Sequence, residues 1–248
     1  MASTQPILPS SRTGVLDPHG IVVYPDSDGK PMAENDPQYR AIVNTRFALE
    51  QHYLHESHVY IGADLLIYYE EGDTTKSVAP DVFASLGVPK TARRTYQIWM
   101  EGKAPDVVFE FASLGTWRAD VSWKRGLYLG IGVQEYFLFD PTGEFFQPIL
   151  QGYRLNENPF QPLPPLEVER GVRGLRSDVL GVELWAQPSD MPGIPYALRV
   201  YNPATGVWLP TPEEAAEGQR NEAAARAAAE ARLRELEAEL HQLRGETS

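Results

Sequence analysis

The sequence predicts an α/β (α+β) domain followed by a long C-terminal helix, and three observations predict it. Residues 106–139 alternate strand, helix and strand patterns at the spacing of a right-handed crossover unit. Residues 145–185 hold short apolar runs broken by Pro and Gly, which read as a β-rich extension of the same domain. From about residue 213 the composition changes to Ala, Glu, Arg and Leu without proline, the signature of a long helix. A chain of 248 residues, 42 % hydrophobic and 10 % aromatic, is large enough to bury a core. The organisation that follows is an extended or partly disordered lead-in over 1–35, a main domain over 36–187, a proline-rich connector over 188–212, and a long charged helix over 213–245.

Each element has its own signal. Ile42, Val43, Phe47, Leu49 and Leu54 recur at helical spacing between Tyr39 and His55. Val59–Tyr69 reads as a strand closed by Glu70-Glu71-Gly72-Asp73, and Ser77–Leu86 as a second. A third strand, Asp106–Ala112, is apolar on both faces apart from Glu110, as a central buried strand is. Trp117–Gly130 is a helix with Gly130 and Gly132 near its end, and Glu135–Phe139 a strand closed by the turn Asp140-Pro141-Thr142-Gly143. Prolines break up 188–212, which reads as loops with at most a short hairpin. In the terminal helix Leu233, Leu236, Leu240 and Leu243 step by three, four and three, a heptad seam of roughly two repeats. A homodimer zipper and a helix docked on its own domain both fit that seam.

Composition excludes several functions. No run reaches the roughly 18–20 apolar residues of a membrane span, and no basic start with an apolar block opens the chain, so a cytoplasmic protein is expected. The absence of cysteine removes disulfides, thiolate metal sites and cysteine nucleophiles. A net charge of −12 argues against non-specific wrapping of nucleic acid. The charge is uneven, however: Leu86–Gly126 holds Lys90, Arg93, Arg94, Lys103, Arg118, Lys124 and Arg125 against Glu101, Asp106, Glu110 and Asp120. A Gly-x-Ser-x-Gly elbow and a phosphate-cradling Gly-Lys-Ser/Thr loop are both missing. His52, His55, Glu56 and His58 suggest zinc only weakly, and a polar helix end is the better reading.

Glu110 is the most informative residue. An ionised carboxylate within Val-Val-Phe-Glu-Phe-Ala costs several kcal/mol unless a cation or hydrogen-bond donors meet it. A partner Arg, or a strand edge open to water, would also answer that cost. Asp81, after Pro80 on the preceding strand, can stand about 4.8 Å from Glu110 across neighbouring strands, and two acids can share a divalent metal. Asp120, Lys124 and Tyr128 fall at i, i+4 and i+8 on the next helix, either a stripe facing the sheet or an exposed Asp–Lys pair with a half-buried Tyr. Ala-Pro-Asp-Val occurs at 79–82 and again at 104–107, so Asp106 competes with Asp81. Asp106 lies four residues from Glu110 on one strand, about 13 Å away, too far to chelate the same ion.

Taken in order, Pro80-Asp81-Val82, Ala104-Pro105-Asp106-Val107-Val108-Phe109-Glu110-Phe111-Ala112-Ser113, Thr116, Asp120, Lys124, Tyr128 and Gly132-Val133-Gln134-Glu135-Tyr136-Phe137-Leu138-Phe139-Asp140-Pro141 resemble the Uma-two family of restriction endonucleases, within the PD-(D/E)XK nuclease superfamily. The resemblance covers about residues 35–185. It implies a restriction-endonuclease-like mixed central sheet flanked by helices, and a divalent-metal-dependent endonuclease acting on the phosphodiesters of DNA. Asp81 and Glu110 match the two acids. The lysine expected two residues after the second acid is Ala112 here, and Lys124 stands at the place the family uses on the next helix. The mechanism it implies has Asp81, Glu110 and the Phe111 carbonyl holding Mg²⁺ (or Mn²⁺), with Lys124 at the attacking water or the phosphate. Arg93, Arg94 and Arg118 are candidates for backbone phosphates. Glu34 lies near the first-helix acid of the superfamily. Ser113-Leu114-Gly115-Thr116 departs from the usual Ser-Pro-Ser-Thr-like turn. Together with the acidic charge, that departure supports the alternative of a catalytically silent nuclease fold acting as a binding module.

Overall fold

The computed structural model describes residues 15–16, 19–27, 35–155, 160–166 and 173–245. In chain order the strands are β1 (Val15–Leu16), β2 (Val22–Val23), β3 (Val59–Ala63), β4 (Ile67–Tyr68), β5 (Ser77–Val78), β6 (Val82–Leu86), β7 (Tyr96–Gln97), β8 (Val107–Phe111), β9 (Glu135–Phe139), β10 (Leu150–Leu155), β11 (Phe160–Pro162), β12 (Pro165–Leu166), β13 (Arg173–Ser177), β14 (Val182–Pro188), β15 (Tyr196–Asn202) and β16 (Val207–Trp208). The helices are α1 (Asp36–His52), α2 (Ile98–Glu101), α3, a run made of Trp117–Ala119, Asp120–Lys124 and Arg125–Ile131, and α4 (Pro212–Gly245). The chain forms two compact units, Met1–Leu209 and Pro210–Ser248.

The first unit is built on a six-stranded sheet of order β11-β10-β9-β8-β6-β3. It is mixed: β8 and β9 run parallel, joined through α3, and the other neighbours are antiparallel. The parallel pair needs a crossover connection, and α3 supplies it. Side chains alternate across the sheet. Val107, Phe109 and Phe111 of β8 join the core shared with α1 and the antiparallel sheet β12–β16, through Ile42, Leu49, Leu184 and Val200. Val108, Phe83, Tyr136 and Leu138 face the other way, into a second core with Tyr128 of α3 and Ile67, Val78 and Tyr96 of the small sheet β5-β4-β7. Glu110 shares the parity of Val108, so the strand's own period turns it toward α3.

Several boundaries differ from the sequence reading. The expected strand Val59–Tyr69 breaks after Ala63, where Asp64 adopts a positive φ of 48°. The expected strand Ser77–Leu86 breaks at Ala79-Pro80-Asp81, because Pro80 has no N–H to give a ladder. The two breaks meet, the Asp64 N–H donating to the Asp81 carbonyl at 3.3 Å. They let β4 and β5 peel away into the small sheet and leave Asp81 at the mouth of the β6/β8 pair. Helix α1 begins at Asp36 because Asn35 caps it, its side chain accepting from the Gln38 N–H at 2.9 Å, with Pro37 in the first turn. It ends at His52, so His55 and His58 lie beyond it and cannot share a helical face with His52.

The loops expected over 188–212 are corrected in extent, and the short hairpin allowed there is β15–β16. Tyr196–Asn202 pairs with β14 along its length, and Leu198 and Val200 are buried in the main core. The prolines that suggested loops flank this strand and leave its interior alone. Of the lead-in expected over 1–35, Glu34 lies outside the described residues. The described part is mostly exposed but anchored at one point: Tyr24 lies against Tyr68 and Trp99, and the Tyr68 hydroxyl donates to the Pro25 carbonyl at 2.6 Å.

The second unit is α4. A capping box starts it, with the Glu214 N–H on the Thr211 hydroxyl (3.2 Å) and the Thr211 N–H on the Glu214 carboxylate (2.9 Å). Leu233 and Leu236 are exposed, while the side chains of Leu240 and Leu243 lie outside those described. No helix among the described residues is long and apolar enough to cross a membrane.

Candidate active site

Antiparallel register brings the two acids together. Val82 faces Phe109 and Phe83 faces Val108, so one further step sets Asp81 opposite Glu110 on the face that looks toward α3. Asp81 is half-buried, and its Oδ2 accepts the Phe111 N–H at 2.6 Å. Its Oδ1 carries no hydrogen bond among the described residues. The Phe111 N–H thus points to the β6 side of β8, and in an extended strand the carbonyl of a residue points to the same side as its N–H.

Opposite the sheet, α3 closes the site. Its start is held by Ser113, whose carbonyl accepts the Thr116 and Trp117 N–H groups and whose hydroxyl meets that of Thr116 at 2.9 Å. The altered turn thus still forms a closed helix start. Asp120–Lys124 is a π-helical turn, a widening frequent at functional sites. The Tyr136 hydroxyl donates to the Asp120 carbonyl at 2.9 Å and ties that turn to β9. The αL residue Gly132 (φ 92°) ends the helix, its N–H on the Leu129 carbonyl.

The stripe Asp120, Lys124, Tyr128 faces inward. The Lys124 ammonium is 2.9 Å from Glu110 Oε2 and 2.8 Å from Asp120 Oδ1, and the Tyr128 hydroxyl donates to Glu110 Oε1 at 2.6 Å. Glu110 and Asp120 are each 1 % exposed and Lys124 9 %. The exposed Asp–Lys pair is thereby excluded, and Glu110 is answered by a lysine and a tyrosine in place of an arginine. Asp120 and Tyr128 are the site residues that sequence reasoning did not assign. Their i, i+4, i+8 spacing was visible, but spacing alone does not say which face of a helix is buried.

Two carboxylates therefore hold one ammonium, and Asp81 adds a third negative charge. Burial pushes the Glu110 carboxyl up to about 7, against the pull of Lys124. Burial, then the charge of Glu110, raises Asp81 well above the usual carboxylate range, and burial likewise raises Asp120. Burial alone would lower Lys124, but Glu110, Asp120 and Asp81 together raise it. The arrangement lacks positive charge, and its donors are carboxylate and carbonyl oxygens, the ligands of a hard divalent cation. Among the described residues no group of three or more His, Asp or Glu side chains is placed to hold a metal. A cation bound by two carboxylates and a carbonyl, with water completing its shell, needs no such group.

Other acids and bases have structural partners. Asp106 is buried, paired with Lys103 at 2.6 Å, and accepts from the Leu86 N–H (2.7 Å) and the Gln134 amide. It pins β6 to β8 and is more than a turn residue. Asp140 collects the N–H groups of Thr142, Gly143, Phe145 and Phe146 and shapes the loop after β9. Arg93 has structural partners: its guanidinium binds both oxygens of Glu101 (2.7 and 2.9 Å) and the Pro89 and Thr91 carbonyls, and stacks on Tyr60. With four of its five N–H donors engaged and its side chain 8 % exposed, it has little to offer a phosphate. Arg94 is exposed but paired with Asp26, and exposed Arg118 lies over the Trp117 ring on the first turn of α3.

Residues 27–183, well over half of the chain, match the model of Uma2, described as "Putative restriction endonuclease". The chain belongs to this family. Uma2 membership puts it among the restriction-endonuclease-like nucleases, and the mixed sheet with flanking helices is the architecture expected of them. One similar solved structure is a "putative nuclease belonging to DUF820" from Anabaena variabilis ATCC 29413, with 15 % identity, a TM-score of 0.41, and coverage of 58 % of this chain and 79 % of that one. No curated protein matches.

Proposed function

We propose that the chain is a divalent-metal-dependent endonuclease that hydrolyses phosphodiester bonds of DNA, with Asp81, Glu110 and Lys124 as its catalytic residues. The observation that carries this is the convergence of Lys124 on Glu110, with Asp81 in register across the strand pair. Asp81, Glu110 and the Phe111 carbonyl would hold Mg²⁺ or Mn²⁺, which when bound would polarise the phosphate and activate water. Lys124 sits where it can orient that water or offset charge developing on the phosphate. Tyr128 fixes the Glu110 carboxylate, and burial keeps its own hydroxyl protonated as a donor by raising it well above the usual range. Arg118, exposed beside the site, is the remaining candidate of the three arginines for a backbone phosphate within reach.

Incubating supercoiled DNA with the purified protein tests this. Nicking should need Mg²⁺ or Mn²⁺, stop with chelator, and fall at least about a hundredfold in Asp81→Asn. Equal activity of native chain and Asp81→Asn across metals would remove the enzyme reading. The closed Glu110–Lys124–Tyr128 network favours the second reading, a silent binding module, since it satisfies Glu110 without a metal. DNA binding without cation-dependent cutting is its expected result.

We also propose that α4 joins two copies through its leucine seam, because Leu233 and Leu236 stand exposed 58 % and 41 %. Deleting 213–248 should turn a dimer into a monomer, as read from the mass measured by light scattering. An oligomeric state unchanged by the deletion would exclude the zipper.

A further inference from the structure

Both oxygens of Glu110 already accept a donor, and each keeps a second lone-pair site. Tyr128 occupies its Oε1 and Lys124 its Oε2. The tyrosine is a neutral donor and can stay while a cation approaches. The ammonium is a like charge at the oxygen a cation would use, so the two compete. Asp120 offers the ammonium somewhere to go. Its carboxylate is buried, neither oxygen carries a well-directed hydrogen bond, and what meets it is the 2.8 Å approach of Lys124 to Oδ1, with the Thr116 hydroxyl close by. The π turn and the Tyr136 hydroxyl, which donates to the Asp120 carbonyl, hold the backbone that carries this carboxylate.

We propose that Asp120 is a positioning residue that receives the Lys124 ammonium when Glu110 turns to a divalent cation, so that cation entry and lysine release are one exchange. The inference rests on the metal-dependent reading above and deepens it. In this scheme Lys124 is stored between two acids. Loading the site frees it from Glu110 while Asp120 keeps it charged and within reach of the substrate. A buried acid that served only packing would not link the lysine to the metal.

Titrating the full-length protein with Mn²⁺ in a calorimeter, without substrate, tests the exchange. Lys124→Met removes the competitor and should tighten Mn²⁺ binding about tenfold, and Asp120→Asn, which leaves the ammonium only Glu110, should weaken it about tenfold. With methionine at 124, a buried Asp120 takes up a proton, so adding Asp120→Asn there should change the affinity less than about twofold. Lys124→Gln, which keeps a donor, replaces Lys124→Met if that variant does not fold. In DNA cleavage Asp120→Asn should lower kcat and leave KM near its native value. Equal effects of Asp120→Asn in the two backgrounds, or none in either, overturn the exchange while leaving the metal reading standing. No Mn²⁺ binding by the native chain overturns both.

Discussion

Lys124→Met should destabilise the cation-free protein by about 3–5 kcal/mol, because it leaves two buried carboxylates with no counter-charge. The effect has a sign in pH. Glu110 and Asp120 already ionise above their ordinary range in the native chain, and Lys124 is what holds them down. Without it they rise further. A carboxyl whose folded pKa lies above its unfolded one costs stability when the pH is above the folded value, and the cost is relieved as protons return on acidification. The deficit should therefore be full above the variant's own raised carboxyl values and shrink as the pH falls from there toward about 7, where Glu110 of the native chain titrates. Millimolar Mn²⁺ should restore part of it, since a ligand that binds only the folded state stabilises it. Chemical denaturation of native and variant chains at several pH values checks this. A deficit that is independent of both pH and Mn²⁺ would mean that Lys124 serves packing alone.

Glu110→Gln should separate stability from activity. Gln keeps the acceptor for Tyr128 and removes one of three clustered charges, leaving Lys124 and Asp120 as a one-to-one pair. Between the ordinary carboxyl value and about 7 the native fold binds more protons than the unfolded chain, so Glu110 lowers stability as the pH rises through that window. The variant should lose that slope and be no less stable than the native protein above neutrality. Cleavage of DNA should fall at least about a thousandfold, because the proposed cation ligand and its charge are gone. Functional sites commonly hold such a stability cost. A variant that melts far below the native protein, or that cuts DNA at the native rate, would contradict this division.

Some of this site was legible in the sequence, and the reasons are specific. Glu110 stood out because a carboxylate inside an apolar strand demands a partner. Asp81 and Lys124 followed from the ordered motifs that resemble the Uma-two family. The separation of Asp106 from Glu110 along one strand ruled it out by distance, and its ties to Lys103, Leu86 and Gln134 give it other work. The inward turn of Asp120 and Tyr128 could not be read, since an i, i+4 acid–lysine pair looks the same on an exposed helix face. Nor could the capture of Arg93 by Glu101, which lies eight residues away and meets it only through the fold.

The strand breaks were the main structural surprise, and they matter to function. Asp64 and Pro80 sit in runs whose apolar content suggests continuous strands. Breaking there ends the β6/β8 ladder one residue early, which frees the Asp81 side chain to reach the Phe111 N–H. β15 was hidden for the opposite reason: prolines on both sides made a buried strand look like a loop.

The most direct test is a crystal of the native protein soaked in Mn²⁺, with the ion located by its anomalous scattering. The account predicts one Mn²⁺ bonded at roughly 2.0–2.3 Å to carboxylate oxygens of Asp81 and Glu110 and to the Phe111 carbonyl, with the Lys124 ammonium moved off Glu110. Crystals that show no ion between these acids, with Glu110 still clasped by Lys124 and Tyr128, would contradict it.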